Sequence, residues 1–417
     1  MINFTRFTLD NGLTVLVHED HATAMAVVNI LYKVGARDES PDQTGFAHLF
    51  EHLMFGGSIN IPSYDTPLQQ VGGENNAFTS NDITNYYLTL PANNLETAFW
   101  LESDRMLSLA FSEQSLEVQR QVVCEEFKQR YLNQPYGDAW LRLRPLAYKQ
   151  HPYRWATIGK ELKHIEEAQM ADVKAFFNKF YTPQNAIMVV AGNVDVQEVK
   201  RLSEKWFGDI PRGEKYHRNL PSEPEQTEAR REEVEADVPA DSLYIAFHGP
   251  DRLSKDYEAM DLISDILSRG SSSRLYRALV KEQQLFSEVN AYVMGSIDTN
   301  LFVIEGKPLP HITIQEAEHA LWSELEKIKA DLVGEEELQK VKNKIESTLL
   351  FAELSILDKA MNLAYYEAVN AAEDYNQEIQ KYLSVTSEHI QIMAKTLFRK
   401  ENSSTLIYKA KGGNHAE

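Results

Sequence analysis

A single cysteine, Cys124, stands among 417 residues. A lone thiol excludes an intrachain disulfide framework and suits a reducing compartment. Basic charge is also scarce, with 42 Lys and Arg against 62 Asp and Glu and a formal net charge of −20 with His neutral. Such a surface repels phosphate backbones and anionic lipid, so no nucleic-acid partner and no membrane partner is expected. Long apolar runs are missing too. The longest are short, as in AIMVVAG at 186–192, where a bilayer span needs roughly 18 or more residues. The N-terminus, MINFTRFTLDNG, lacks the basic region and apolar stretch of a secretory signal. A cytoplasmic protein is the default expectation; a periplasmic protein whose signal had been removed would read the same way.

What is present is enough to build cores. Apolar residues make up 43% of the chain, and one domain usually takes about 100–200 residues, so two domains are expected. Leu13, Val15 and Val17 alternate as on one side of a strand, and AMAVVNILYK at 24–33 predicts a second. GFAHLFEHLMF predicts a helix, and AFTSNDITNYYLTL two short strands around a turn at Asn81-Asp82. Helices are expected at about 92–109 and 112–130, the second capped by Ser112. The stretch 211–236 carries three prolines, many charges and little periodicity, and reads as a linker. The division that follows is an N-terminal domain at 1–215, a linker at 216–236 and a C-terminal domain at 237–417.

The two halves share a closing unit. DVKAFFNKFYTPQNAIMVVAG, from Asp172, lies without gaps over HIQIMAKTLFRKENSSTLIYK, from His389. Asn185 then matches Asn402, and Tyr181 matches Phe398. Duplicated α+β domains are the expectation.

The sharpest signal is HLFEH at 48–52. Residues four apart on a helix share a face, so His48 and His52 direct both imidazoles at one ion. Glu51 borders that face and is placed to take a proton from a metal-bound water. The spacing is the inverted form of the HExxH zinc-protease motif, and zinc suits two imidazoles plus a carboxylate with one position open. The third ligand must come from elsewhere. VVCEEF offers Glu125 and Glu126 inside an apolar run, where an unpaired carboxylate is costly. Glu113 and Glu117 lie amid polar residues and read as solvated. Cys124, about 200° around the helix from Glu126, reads as a buried small hydrophobe. His151 and His248 carry no assignment.

HLFEH followed 74 residues later by Glu126 resembles the pitrilysin and mitochondrial processing peptidase family of inverted zinc metallopeptidases, in its short, two-domain bacterial type. The resemblance covers nearly the whole chain, through NGLTVLV, GARDES, GFAHLFEHLMFGGS, NAFTSNDITNYY, RQVVCEE, HPYRWATIG, FYTPQNAIMVVAGNV and GSSSRLYRALVKE. It implies duplicated LuxS/MPP-like metallohydrolase domains, each a mixed or antiparallel sheet packed against helices. The N-terminal one binds metal and the homologous C-terminal one does not. It also implies one zinc ion per chain held by His48, His52 and Glu126, with Glu51 as the base. The resemblance, rather than the spacing, selects Glu126 over Glu125. It further implies that Asn76, Ala77 and Phe78 line an edge strand that binds peptide by β-augmentation.

Two departures from that family stand out. Fully equipped members carry an Arg and a Tyr seven residues apart in a segment like LREKRGLAY. LVKEQQLFS at 279–287 puts Val280 and Ser287 at those positions. Neither reaches or donates as a guanidinium or phenol does, so an oxyanion lacks its expected donors. The smaller departure is Gln119, where a Glu is common. The reading is therefore a zinc endopeptidase of oligopeptides or unfolded segments, paired with a homologous subunit that supplies the Arg and Tyr, or with itself as a homodimer. A non-catalytic scaffold subunit and a metallohydrolase of a non-peptide substrate are the alternatives.

Overall fold

The alternation near the N-terminus places alternate side chains on opposite faces of a sheet. In the computed structural model, which describes residues 1–411, the first six strands are β1 (Thr5–Thr8), β2 (Thr14–Glu19), β3 (Met25–Tyr32), β4 (Glu74–Thr79), β5 (Thr84–Pro91) and β6 (Ala186–Gly192). They form one sheet in the order β1-β2-β6-β3-β5-β4. β2 and β6 run parallel and the remaining pairs antiparallel. Every residue of β6 is buried, as expected of a central strand covered on both faces. β4 is an edge. The N-terminal strand β1 and the short helix Asp65–Gln70 carry too little apolar periodicity to be legible in the sequence.

The helix Ile356–Val369 covers one face of this sheet. Leu363 and Ala364 are fully buried against Val27, Leu31 and Val189. Sequence periodicity predicts one long helix through 334–371, but the structure breaks it between Ala352 and Ile356. Ser355 caps the new helix by accepting from the Asp358 N–H (3.2 Å).

The remaining strands are β7 (Arg230–Ala236), β8 (Ser242–Gly249), β9 (Phe286–Val293), β10 (Asn300–Pro308) and β11 (Ser403–Ala410). Their order is β7-β11-β8-β10-β9, with β7 parallel to β11. The expected linker 216–236 therefore ends in a strand. RREEVEA alternates exposed and half-buried residues along a sheet edge, a pattern that charge hides from a hydrophobicity reading.

The fold is α+β, with two mixed sheets packed against helices. It forms two compact units, each discontinuous in sequence. One comprises residues 1–128, 155–220 and 349–377; the other comprises 129–154, 221–348 and the chain from 378 onward. This division differs from the contiguous segments 1–215 and 237–417, and residues 412–417 of the latter lie outside the described residues. The repeat has a matching detail in both units. Asn185 donates through Nδ2 to the Phe180 carbonyl (2.9 Å), and Asn402 donates through Nδ2 to the Leu397 carbonyl (2.9 Å). Each amide ties the end of a helix to the strand that follows it. Among the described residues, no helix is long and apolar enough to cross a membrane.

Candidate metal centre

α1 (Phe46–Leu53) carries the HLFEH motif and packs against α4 (Glu113–Phe127); α2 (Asp65–Gln70) and α3 (Leu95–Leu107) lie between these two in the sequence. Gly45 opens α1 at φ 88°. A Cβ there would come within 2.6 Å of the Ile158 carbonyl oxygen, so the left-handed turn and the close approach both require glycine. The helix start is capped from a distance by Glu39, whose carboxyl oxygens accept from the N–H groups of Gly45 (2.8 Å) and Ala47 (2.8 Å). Burial pushes the Glu39 carboxyl up to about 8, against the opposing pull of those two backbone bonds. α4 starts at Ser112, which accepts from the Ser115 N–H (3.0 Å). It passes into a π-helical turn, Lys128–Leu132, just after the Glu pair.

These two helices bring three ligand atoms together. His52 Nε2 lies 3.4 Å and His48 Nε2 3.7 Å from the same Glu126 oxygen. The two imidazole rings stand nearly perpendicular, 86° apart, with centroids separated by 4.9 Å. All three donors lie within 4.8 Å of one another. Donors on a tetrahedral zinc at about 2.0–2.1 Å sit about 3.3 Å apart, so this set closes on such an ion with small side-chain adjustments. Two imidazoles and one carboxylate also have the right chemistry and leave a coordination position open. The side chains are 13%, 24% and 17% exposed for His48, His52 and Glu126, which leaves the group reachable from solvent. Among the described residues, no other group of three or more His, Cys, Asp or Glu side chains is arranged to hold a metal.

The neighbours of Glu126 face elsewhere. Glu125 is 61% exposed and pairs with Lys128 (2.7 Å), and Glu117 pairs with Arg120 at the surface. Cys124 is buried, and desolvation raises its thiol pKa. Gln119 is half-buried on α4. Glu51 is half-buried on α1, close enough for its charge to help raise the phenol pKa values of Tyr86 and Tyr181, which burial dominates.

β4 divides the three expected strand residues between two faces. Ala77 pairs with Tyr86, and Asn76 and Phe78 with Tyr87 and Asn85. The Tyr86 hydroxyl reaches the Phe50 carbonyl of α1 (3.4 Å), so Ala77 lies on the face that carries the His/Glu helix. Asn76 and Phe78 point to the opposite face, and Phe78 is 40% exposed. The Ala77 N–H is held by Asn76 Oδ1 (2.8 Å), which shows that it points off the free edge rather than into β5.

In the other unit, Val280 is half-buried in the π-helix Tyr276–Glu282. Ser287 is exposed on β9 and donates to the Lys307 carbonyl (3.1 Å). Gln284, between them, adopts φ 53°, a left-handed conformation uncommon for a side-chain-bearing residue. Arg277 is 63% exposed beside Glu282, and the Tyr292 hydroxyl donates to Glu305 (3.3 Å). His151 is buried with Nε2 on Asp298 (3.1 Å), and burial lowers His248 to about 4.

Residues 14–145 match the family model described as Insulinase (Peptidase family M16). Residues 168–345 match one described as Peptidase M16 inactive domain. The chain belongs to peptidase family M16, and within it to the short, two-domain type of the pitrilysin and mitochondrial processing peptidase group. It is 31% identical over 408 residues to the zinc protease PqqE of Helicobacter pylori, covering 96% of this chain and 92% of that protein. It is 23% identical to the uncharacterized zinc protease YmxG of Bacillus subtilis, covering 96% and 97%. The crystal structure of a protease from Helicobacter pylori superposes with a TM-score of 0.92 at 30% identity, covering 98% of this chain and all of that one. These similarities place the chain in a zinc protease family.

Proposed function

We propose that this M16 chain is a zinc-dependent endopeptidase acting on oligopeptides or unfolded segments. The observation that carries this reading is the convergence of His48, His52 and Glu126 beside Glu51 and an open strand edge. His48, His52 and Glu126 are the residues that would hold the ion. When bound, zinc supplies Lewis-acid polarisation of the scissile carbonyl.

The chain's own residues account for the rest. Glu51 accepts the proton of the attacking water, whose oxygen adds to the carbonyl carbon. The C–N bond then breaks, and Glu51 returns the proton to the departing amine. β4 aligns the substrate: an extended peptide adds to its free edge, displacing the Asn76 side chain from the Ala77 N–H. The sheet of the other unit is less suited to this. On its edge strand β9, Ser268 Oγ already contacts both the N–H (2.7 Å) and the carbonyl (2.8 Å) of Ala291.

Val280 and Ser287 support a further part of the proposal. Neither stabilises an oxyanion, so a homologous subunit carrying an Arg and a Tyr completes the site. The test is hydrolysis of a quenched peptide library by the zinc-loaded chain, with and without chelator. Chelator-sensitive cleavage at internal bonds supports the reading, and a zinc-loaded chain that cleaves nothing even with such a subunit contradicts it.

A further inference from the structure

Arg105 sits 2% exposed on α3, an expensive place for a guanidinium. Its Nη2 donates to both oxygens of Glu102 (2.6 Å each), and the Tyr64 hydroxyl donates to the same carboxylate. Arg105 Nε and Nη1 have no hydrogen-bond partner. They lie among aromatic faces instead: the guanidinium carbon is 4.4 Å from the Tyr64 ring centre, 4.6 Å from Tyr86 and 5.6 Å from Phe55. Cation–π attraction is strongest where water is excluded. The rings come from three separate stretches of chain, since Phe55 follows α1, Tyr64 precedes α2 and Tyr86 belongs to β5.

Tyr86 extends this hub to the metal helix. It is fully buried and stands opposite Ala77 on β4. Its hydroxyl lies beside that of Tyr181 and 3.4 Å from the Phe50 carbonyl oxygen, at the long end of hydrogen-bond range; the same oxygen accepts from the Met54 N–H (3.0 Å). That carbonyl belongs to the peptide unit joining Phe50 to Glu51. A second donor on it restrains the backbone from which the Glu51 side chain projects. The same tyrosine thus touches the turn that carries Glu51 and the strand pair that aligns a peptide.

We infer that Tyr86 is a positioning residue for Glu51, fixing the base relative to the β4 edge, and that Arg105 holds the Tyr86 ring in place. The inference rests on the proposed peptidase function, but it makes a separate claim about α1. A brace of this kind matters because small misplacement of a reacting group costs far more rate than stability.

The test is Tyr86→Phe in the full chain, loaded with zinc and assayed with its complementing subunit. The expected result is zinc content and KM within about twofold of wild type and kcat lowered roughly 10–100-fold. Amide hydrogen exchange across Phe50–Met54 should rise several-fold. Arg105→Lys, which keeps a cation over the rings, should retain more kcat than Arg105→Met. A Tyr86→Phe chain with wild-type kcat and wild-type exchange overturns the inference, as does a loss that follows thermal stability alone. If the wild-type chain proves inactive, the function reading fails on its own, and unchanged exchange at Phe50–Met54 then overturns the positioning claim independently.

Discussion

His52 Nε2 lies 3.4 Å from a Glu126 oxygen, across 74 residues of sequence and two separate helices. His48 approaches the same oxygen to 3.7 Å. Three potential ligands meeting at one point predict stoichiometric metal. Elemental analysis of protein prepared without chelator should find about one zinc per chain. His52→Ala and Glu126→Gln should each lower occupancy strongly, and Glu125→Gln should leave it unchanged. Full zinc in both ligand variants would place the site elsewhere.

Backbone recognition at β4 predicts a particular sensitivity in the substrate. N-methylation scanned along a cleaved peptide should lower kcat/KM about three- to tenfold at positions that donate to the β4 edge, the scale of one net hydrogen bond. Other positions should respond little. A flat scan would exclude strand addition as the binding mode. Compact folded proteins should be cleaved much more slowly than short extended peptides.

Glu39 gives the protein a pH signature. Its folded-state carboxyl is raised to about 8 from an ordinary value near 4.5, so between those limits the folded chain holds a proton that the unfolded chain has lost. This contribution to stability is fully present below about pH 4.5, declines as pH rises, and is gone once pH passes about 8. Glu39→Gln should flatten that decline. Thermal midpoints of both proteins across pH 5–9 check it; parallel curves would mean that Glu39 titrates normally.

The helix Ile356–Val369 belongs with a sheet whose six strands all lie within the first 192 residues. Leu363→Ala should therefore cost about 2–5 kcal/mol, the usual range for emptying a buried leucine site. Denaturant unfolding measures this, and a loss below about 1 kcal/mol would mean the site collapses or was loosely packed.

The parts legible in the sequence were those written in helical or strand periodicity. HLFEH needs only the 3.6-residue turn to put His48 and His52 on one face. Asn185 and Asn402 exposed the repeat because each is fixed by the same bond to a helix end. What stayed hidden depended on burial. Nothing in LESDRM marks Arg105 and Glu102 as buried, because pairing across one helix turn and enclosure by Tyr64, Tyr86 and Phe55 leave no local mark. Glu39 likewise became a cap only once Gly45 was folded against it. The split of Asn76, Ala77 and Phe78 between two faces follows from strand alternation, but which face met α1 required the Tyr86–Phe50 contact.

The central claim is that Glu51 drives peptide hydrolysis at a zinc site built by His48, His52 and Glu126, completed by a subunit that supplies the groups absent at Val280 and Ser287. The most direct measurement compares wild type and Glu51→Gln, both zinc-loaded, on a quenched extended peptide, alone and mixed with a homologous subunit carrying the Arg/Tyr pair. Wild type should be weak alone and accelerate about 10²–10³-fold on mixing, the scale of one oxyanion donor. Glu51→Gln should keep its zinc and remain inactive in both cases. Normal cleavage by zinc-loaded Glu51→Gln, or full wild-type activity unaffected by the partner, would contradict the account.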